Sequence, residues 1–117
     1  MQDTDRIRIL HMIDAGESAQ SFIAERQRAD LDQDQMLLFA VVRAIEVIGE
    51  AAGKVSAEAR ASLPAIPWNA VVSMRNRLIH GYFDIDTEIV WKTVTNEIPE
   101  LLRLLRQCDS AKEKGET

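Results

Sequence analysis

Hydrophobic positions recur at helical spacing along most of the chain and predict four long helices. The first covers residues 5–27, where apolar and charged positions alternate with a period near four residues. The second begins in the acidic residues 30–34, which suit a helix N-terminus, and continues to about residue 54. The third covers residues 67–80, and the fourth begins at the capping residue Asp86.

Proline and serine mark the remaining boundaries of the predicted helices. Ser56 caps a short helix that stops before Pro64. Pro99 lies inside the last apolar pattern and predicts a kink or a break there. Together the elements predict an all-α fold, an up-down bundle of four long helices and one short helix, with no strand of consequence. We expect a single domain over residues 1–110 and a flexible polar tail over residues 111–117.

The second helix is apolar on nearly all sides in its first half, residues 36–42. A helix in a monomeric bundle buries one face, so this pattern indicates burial against a partner subunit. Gly49 and Gly53 follow on one face, together with Ala52. Small residues at this spacing would let another helix approach closely. The alternative is that the two glycines only weaken or end the helix.

Composition narrows the classes of function that this fold could serve. The 117 residues are 46% hydrophobic and 28% charged, with a formal net charge of -5. That charge excludes the basic footprint of a protein that coats nucleic acid, so any contact with RNA must be local. The one cysteine, Cys108, allows no internal disulfide and indicates a reducing cytoplasm. The polar N-terminus is unlike a signal peptide, and no apolar run is long enough to cross a membrane.

Arg75 is the most informative anomaly in the third predicted helix. On a regular helix, at about 100° per residue, it falls in the middle of an apolar face. An arginine there needs a carboxylate, a phosphate or a wet cleft. One interpretation is a buried ion pair with Glu46 or Glu50, which share a face of the second helix. The other is a site that binds phosphate; the two roles are compatible.

His80 lies about 140° from Arg75 on the same helical wheel, so a straight helix would separate the two side chains. They would converge only if the last turn unwinds at Gly81, or across a groove shared with a second subunit. A histidine that titrates near neutral pH can act as a general acid or base, and a guanidinium can stabilise a charged phosphate. We expect no metal, because His11 and His80 lie on different segments without the companions of a zinc site.

The run Arg75-Asn76-Arg77-Leu78-Ile79-His80-Gly81-Tyr82 resembles the Arg-x4-His-x-Tyr motif of HepT toxins, a branch of the HEPN domains. The segment from Arg43 to Ala51 is similar to the second helix of that family, and Pro67-Trp68 and Asp84-Ile85-Asp86 are also similar to it. The resemblance covers about residues 5–108. The Arg-x4-His spacing alone is a weak signal, whereas the tyrosine two residues further makes it specific.

The resemblance implies a metal-independent endoribonuclease without a cofactor, acting as a homodimer, with Arg75 and His80 as its catalytic pair. It implies a toxin that an MntA-like nucleotidyltransferase antitoxin silences by transferring AMP to Tyr82. We expect Asn76, Glu46 and Glu50 to support the pair. The alternative function is a non-catalytic helical subunit that binds the nucleotidyltransferase or a nucleotide without cutting RNA.

Overall fold

The structure is a computed structural model that describes the backbone of residues 1–80 and 84–115 and the side chains of residues 1–79 and 84–109. It is built almost entirely of helices, which confirms the predicted all-α class. The elements in chain order are α1 (Asp3–Ile23), α2 (Arg28–Gln33), α3 (Gln35–Gly53), α4 (Ala57–Ser62), α5 (Trp68–Val72), α6 (Met74–Leu78), β1 (Ile79–His80), β2 (Asp84–Ile85), α7 (Thr87–Lys92), a π-helical segment (Thr93–Glu97) and α8 (Ile98–Gly115).

Three long helical stretches, rather than four, make up the described part of the bundle: α1, α3 and residues 87–115. The predicted third helix, residues 67–80, is wrong as a single element. The chain forms two five-residue helices there, α5 and α6, and then a two-stranded antiparallel ladder in which Ile79 pairs with Ile85. Capping was predicted more reliably, since the side chains of Ser56 and Asp86 accept the N–H groups of Ala59 and Ile89.

The distortion predicted at Pro99 takes the form of a π turn. The backbone remains helical through residues 87–115, but Thr93–Glu97, which ends two residues before the proline, adopts the wider π geometry. Pro99 has no N–H to donate, so the carbonyl one turn earlier loses its usual partner and the preceding turn widens. Apolar residues remain buried on both sides of this turn, including Val90, Val94, Ile98 and Leu102.

The core lies where α1 packs against α3 and α8. Its fully buried side chains include Met12 of α1, Ile45 and Ile48 of α3, and Leu102 and Leu105 of α8. Burying each such side chain stabilises the fold by about 1.5–3 kcal/mol relative to its exposure to water.

Two glycines of α3 differ in role. A Cβ atom at Gly49 would lie 3.3 Å from the carbonyl oxygen of Val72 and 3.4 Å from that of Val71. Gly49 therefore lets the backbone of α5 approach α3, as one of the two sequence interpretations predicted. Gly53, at the end of α3, has nothing within 4 Å of its Cβ position, so it only ends the helix.

A polar link joins the first turn of α1 to the start of α4. Asp5 is only 4% exposed. Its Oδ1 accepts the backbone N–H of Ser56 at 2.8 Å, and its Oδ2 accepts the Ser56 hydroxyl, also at 2.8 Å. These bonds, the backbone one first, lower the pKa of the Asp5 carboxyl. The same hydroxyl caps α4, so one buried carboxylate and one serine fix both helix ends.

The apolar first half of α3 is only partly covered. Leu37, Val41 and Val42 are buried, whereas Met36 is 83% exposed and Phe39 is 52% exposed. The described residues of one chain therefore do not provide the burial on more than one side that the sequence predicted for the first half of α3. No helix in the described part of the chain is long and apolar enough to span a bilayer. The division at residue 110 stays a prediction, although the α8 backbone continues to Gly115 and only residues 116–117 of the proposed tail lie outside the described backbone.

Candidate active site

The segment that carries the Arg-x4-His motif is broken by Ser73, whose φ of -91° and ψ of 3° separate α5 from α6. The Ser73 hydroxyl donates to the carbonyl of Asn69, and the Asn76 N–H bonds the carbonyl of Ser73. Such local bonds compete with a regular helix. The buried positions of this segment are Trp68, Val71, Met74 and Leu78.

Arg75 lies beside the buried face of α6, not on it. Its side chain is 50% exposed, which corrects the predicted position on an apolar stripe. The prediction failed because it counted Val72 and Ile79 in the apolar face, whereas Val72 is 40% exposed and Ile79 is only partly buried. The Nε of Arg75 donates to Oε2 of Glu46 at 2.6 Å, so the pair suggested by the sequence exists but is exposed to water.

His80 belongs to the strand β1 and not to a helix end. The helix α6 ends at Leu78, Ile79 is extended with φ -118° and ψ 123°, and His80 pairs with Asp84 in the ladder. The expectation that the motif does not lie on one regular helix is confirmed, but the helix ends earlier than predicted. The side chain of His80 is not among those described. Gly81, the predicted helix C-cap residue, and Tyr82 lie outside the described residues.

The two glutamates of α3 have different partners. Glu46 holds Arg75, whereas Oε1 of Glu50 accepts from Nη1 of Arg43 at 3.1 Å. The sequence interpretation missed Arg43, although its position seven residues before Glu50 places both on the outer face of α3. Asn76 is exposed on α6, and its supporting role stays a prediction.

Ion pairs neutralise most arginines of the described surface. Arg77, two residues from Arg75, donates to Glu97 of the π segment at 2.9 Å. It is exposed, as the sequence indicated. Similar pairs join carboxylates to six further arginines: Arg6, Arg26, Arg28, Arg43, Arg103 and Arg106.

A shallow groove separates the outer faces of α1 and α3. It has a volume of about 450 Å³, and its lining includes His11, Ala15, Phe22, Ala40, Arg43 and Val47. Exposed apolar side chains continue this face on both helices: Ile7, Leu10, Met36 and Phe39. We call this surface the α1–α3 face. Glu46 follows Arg43 by three residues on α3, so Arg75 and its partner lie at the margin of the face.

The chemistry available at this site centres on the Arg75 guanidinium. Among the described residues only Glu46 accepts from Arg75, through Nε, and none accepts from either Nη group. A guanidinium held at one nitrogen and half exposed can donate two parallel bonds to a phosphate. Among the side chains that the structure describes, no three His, Cys, Asp or Glu residues lie close enough to hold a metal ion.

The sequence matches the family model for "Ribonuclease HepT-like" proteins over residues 12–108. It is 40% identical over 88 residues to the "Probable ribonuclease HepT" of Thermococcus cleftensis, covering 75% of this chain and 80% of that one. It is 37% identical over 93 residues to a "Putative RNase" of Methanocaldococcus jannaschii, covering 77% of this chain and 85% of that one. A protein of Caldanaerobacter subterraneus with the same kind of name is 37% identical over 90 residues, covering 74% and 80%. No solved structure matches this chain.

Proposed function

Because this chain belongs to the HepT-like ribonuclease family and is a ribonuclease of the HEPN type, we propose that it is a toxin that cuts RNA internally with Arg75 and His80, without a metal. The observation that carries this proposal is the Arg75–Glu46 pair. It holds the motif arginine at 2.6 Å through one nitrogen while the rest of the guanidinium faces solvent, where a phosphodiester can reach it.

In the proposed reaction the RNA supplies its own nucleophile. The 2′-hydroxyl oxygen attacks the adjacent phosphorus, and the bond from phosphorus to the 5′-oxygen breaks. The hydroxyl proton leaves and the 5′-oxygen gains a proton; His80 assists this transfer. Arg75 donates to the phosphate oxygens, whose charge grows in the transition state. The products carry a 2′,3′-cyclic phosphate on one strand and a 5′-hydroxyl on the other.

The test is cleavage of tRNA and mRNA in EDTA by wild type, Arg75→Ala and His80→Ala. We expect both variants to lose at least about a hundredfold in rate. Arg77→Ala is the matched control, because Arg77 lies on the same helix and also holds an exposed glutamate. Cleavage at the wild-type rate by both Arg75→Ala and His80→Ala would rule out the assignment. Growth arrest on expression, abolished in His80→Ala, would distinguish a toxin from a non-catalytic subunit.

We further propose that a nucleotidyltransferase antitoxin silences the enzyme by transferring AMP to Tyr82. The support is the position of Tyr82 in the motif, two residues after His80. An added phosphate group there would compete for Arg75 with the phosphate of RNA. Intact mass after co-expression with the genomic neighbour tests this. Each AMP adds about 329 Da, and that gain should disappear in Tyr82→Phe.

A homodimer through the α1–α3 face completes the proposal. Phe39 and Met36 are largely exposed on this face, and contiguous apolar patches on soluble proteins usually mark an interface. Light scattering should give a dimer mass for wild type and a monomer mass for Met36→Lys/Phe39→Glu. Val72→Lys, an exposed apolar position on α5, is the control that should remain dimeric. The cytoplasmic location expected from the sequence stays a prediction.

A further inference from the structure

Four polar side chains join the short helix α2 to the first turn of α7. Arg28 donates from Nε to Glu88 at 2.6 Å, from Nη1 to Asp32 at 2.7 Å and from Nη2 to the Thr87 hydroxyl at 3.4 Å. The Thr87 hydroxyl donates in turn to the second oxygen of Asp32 at 2.7 Å. We call these four residues the α2–α7 cluster. It is closed, since each member is bonded to another and Arg28 contacts all three others.

The α2 side of the cluster is anchored in the hydrophobic core. Of the six residues of α2, Leu31 is the buried one, at 1% exposure, and it anchors the helix in the core. Arg28 and Asp32 flank it one turn apart and project toward α7. The hydroxyl of Thr87 and the guanidinium of Arg28 lower the pKa of Asp32, and its carboxylate raises the pKa of Arg28. Both shifts favour the charged forms, so Asp32 and Arg28 are both charged at neutral pH.

The α7 side of the cluster is attached to the motif segment. Thr87 follows Asp86, whose N–H donates to the carbonyl of Leu78 at 2.7 Å. Leu78 is fully buried and is the last residue of α6, the helix that carries Arg75. Immediately beyond this bond, the ladder pairs His80 with Asp84. A short series of hydrogen bonds therefore connects α2 to the backbone segment that carries Arg75 and His80.

We propose that Thr87, Asp32 and Arg28 are positioning residues for the nuclease reaction, which hold the β1–β2 ladder and the backbone of His80 at a fixed distance from Arg75. This inference rests on the proposed function. Exposed ion pairs contribute little to global stability, so a purely structural role would be weak. Catalysis is far more sensitive, because a shift of about 1 Å in a reacting group can cost a hundredfold in rate.

The central experiment compares Thr87→Val, which keeps the shape but loses the hydroxyl, with Thr87→Ser, which keeps the hydroxyl. We expect Thr87→Val and Asp32→Asn to lower kcat about tenfold while KM changes by less than about twofold. The melting temperature should stay within about 2 °C of wild type. Thr87→Ser should restore kcat, and Arg28→Lys, which keeps the charge but not the fork, should fall between wild type and Arg28→Met.

Hydrogen exchange of the Asp86 amide gives a readout that needs no activity. We expect Thr87→Val to accelerate this exchange at least about fivefold, with amides of α1 unchanged. Arg103→Met, which removes the exposed pair with Glu100 on α8, is the control and should change neither exchange nor kcat. Wild-type exchange and kcat in Thr87→Val would overturn the inference, as would no recovery in Thr87→Ser. If Arg75→Ala and His80→Ala cleave normally, the proposed function fails, and the catalytic part of this inference fails with it. The exchange result then decides only whether Thr87 fixes the β1–β2 ladder.

Discussion

The scaffold and the motif segment of this protein are held by different forces. The scaffold is formed by α1, α3 and residues 87–115. It is stabilised by side chains that are less than 2% exposed, such as Met12, Ile48 and Leu105. The motif segment is residues 67–86, and its described residues, 67–80 and 84–86, include two five-residue helices and a ladder of two residue pairs. Its described residues bury four side chains and otherwise depend on hydrogen bonds and two exposed ion pairs, Arg75–Glu46 and Arg77–Glu97.

Because of this difference, the stability of the fold and the geometry of the motif depend on different parts of the chain. Helices of five residues are too short to be stable alone, so the motif segment takes its shape from the surface against which it packs. Its position is therefore set by a few directional bonds, which local substitutions can change without unfolding the scaffold. Four predictions test this division, in order of decreasing effect on the free energy of unfolding.

The largest effect is expected from Ile48→Ala in the scaffold. Ile48 is fully buried, and removing its outer carbons leaves a cavity among residues that cannot collapse into it. We expect the free energy of unfolding in urea to fall by about 3 kcal/mol. The rate of RNA cleavage per folded molecule should remain near wild type. A loss below about 1 kcal/mol would show that the scaffold is not held mainly by packing.

Gly49→Ala changes the boundary between the two regions. The added Cβ would meet two carbonyl oxygens of α5 at 3.3 and 3.4 Å, and a backbone cannot yield as a flexible side chain does. We expect a loss of about 1–2 kcal/mol, despite the better helix propensity of alanine, together with reduced cleavage as α5 and α6 move.

Gly53→Ala is the matched control for this substitution, because nothing lies within 4 Å of that Cβ position. It should leave both stability and cleavage unchanged or raise stability slightly. Equal effects of the two substitutions would mean that the close approach of α5 to α3 does not matter.

Acid should weaken the link between α1 and α4 by protonating Asp5. The pKa of this carboxyl is lowered from its ordinary value of 3.8, mainly by the Ser56 N–H. A depressed pKa means that the group stabilises the fold fully above the pKa of the unfolded chain and loses that effect as pH falls through the lower folded value. Asp5→Asn should therefore be less stable than wild type at pH 7, and the gap should narrow below pH 3.8. A gap that stays constant between pH 7 and pH 3 would contradict this.

The smallest effect on stability is expected from Glu46→Gln, which removes the α3 carboxylate that holds Arg75 of the motif segment. The pair with Arg75 is exposed, so its loss should change the free energy of unfolding by about 0.5 kcal/mol or less. Cleavage should change more, because in the proposed mechanism Glu46 orients Arg75 and competes with the substrate phosphate for it. We expect kcat and KM to fall together, the pattern of a lost ground-state restraint. Glu50→Gln, which affects Arg43 instead, should leave both constants near wild type.

The sequence predicted the scaffold well because its elements are long and periodic. The first and second helices, the caps at Ser56 and Asp86 and the distortion near Pro99 all follow from local chemistry. These features depend on residues that are neighbours in sequence, which a helical pattern captures directly.

The motif segment was predicted less well for a physical reason. Residues 67–80 have apolar spacing that suits one helix, but the local bonds of Ser73 and the pairing of Ile79 with Ile85 divide it. The helical wheel counted Val72 in the apolar face, whereas Val72 is 40% exposed and Met74 is buried, so the predicted phase placed Arg75 on the wrong face. Its partner Glu46 was nevertheless named, because the need of an arginine for a carboxylate does not depend on that phase.

The pairing of the arginines also determines how this enzyme meets a polyanion. Eight arginines already hold a carboxylate, and the net charge is -5. Such a surface projects little positive potential, so RNA is not steered toward it and encounters are those of ordinary diffusion. In the proposed reaction, capture then depends on the part of the Arg75 guanidinium that Glu46 does not hold, which would contact a phosphate. The rate of productive collision should consequently depend only weakly on ionic strength, unlike that of a basic RNA-binding protein.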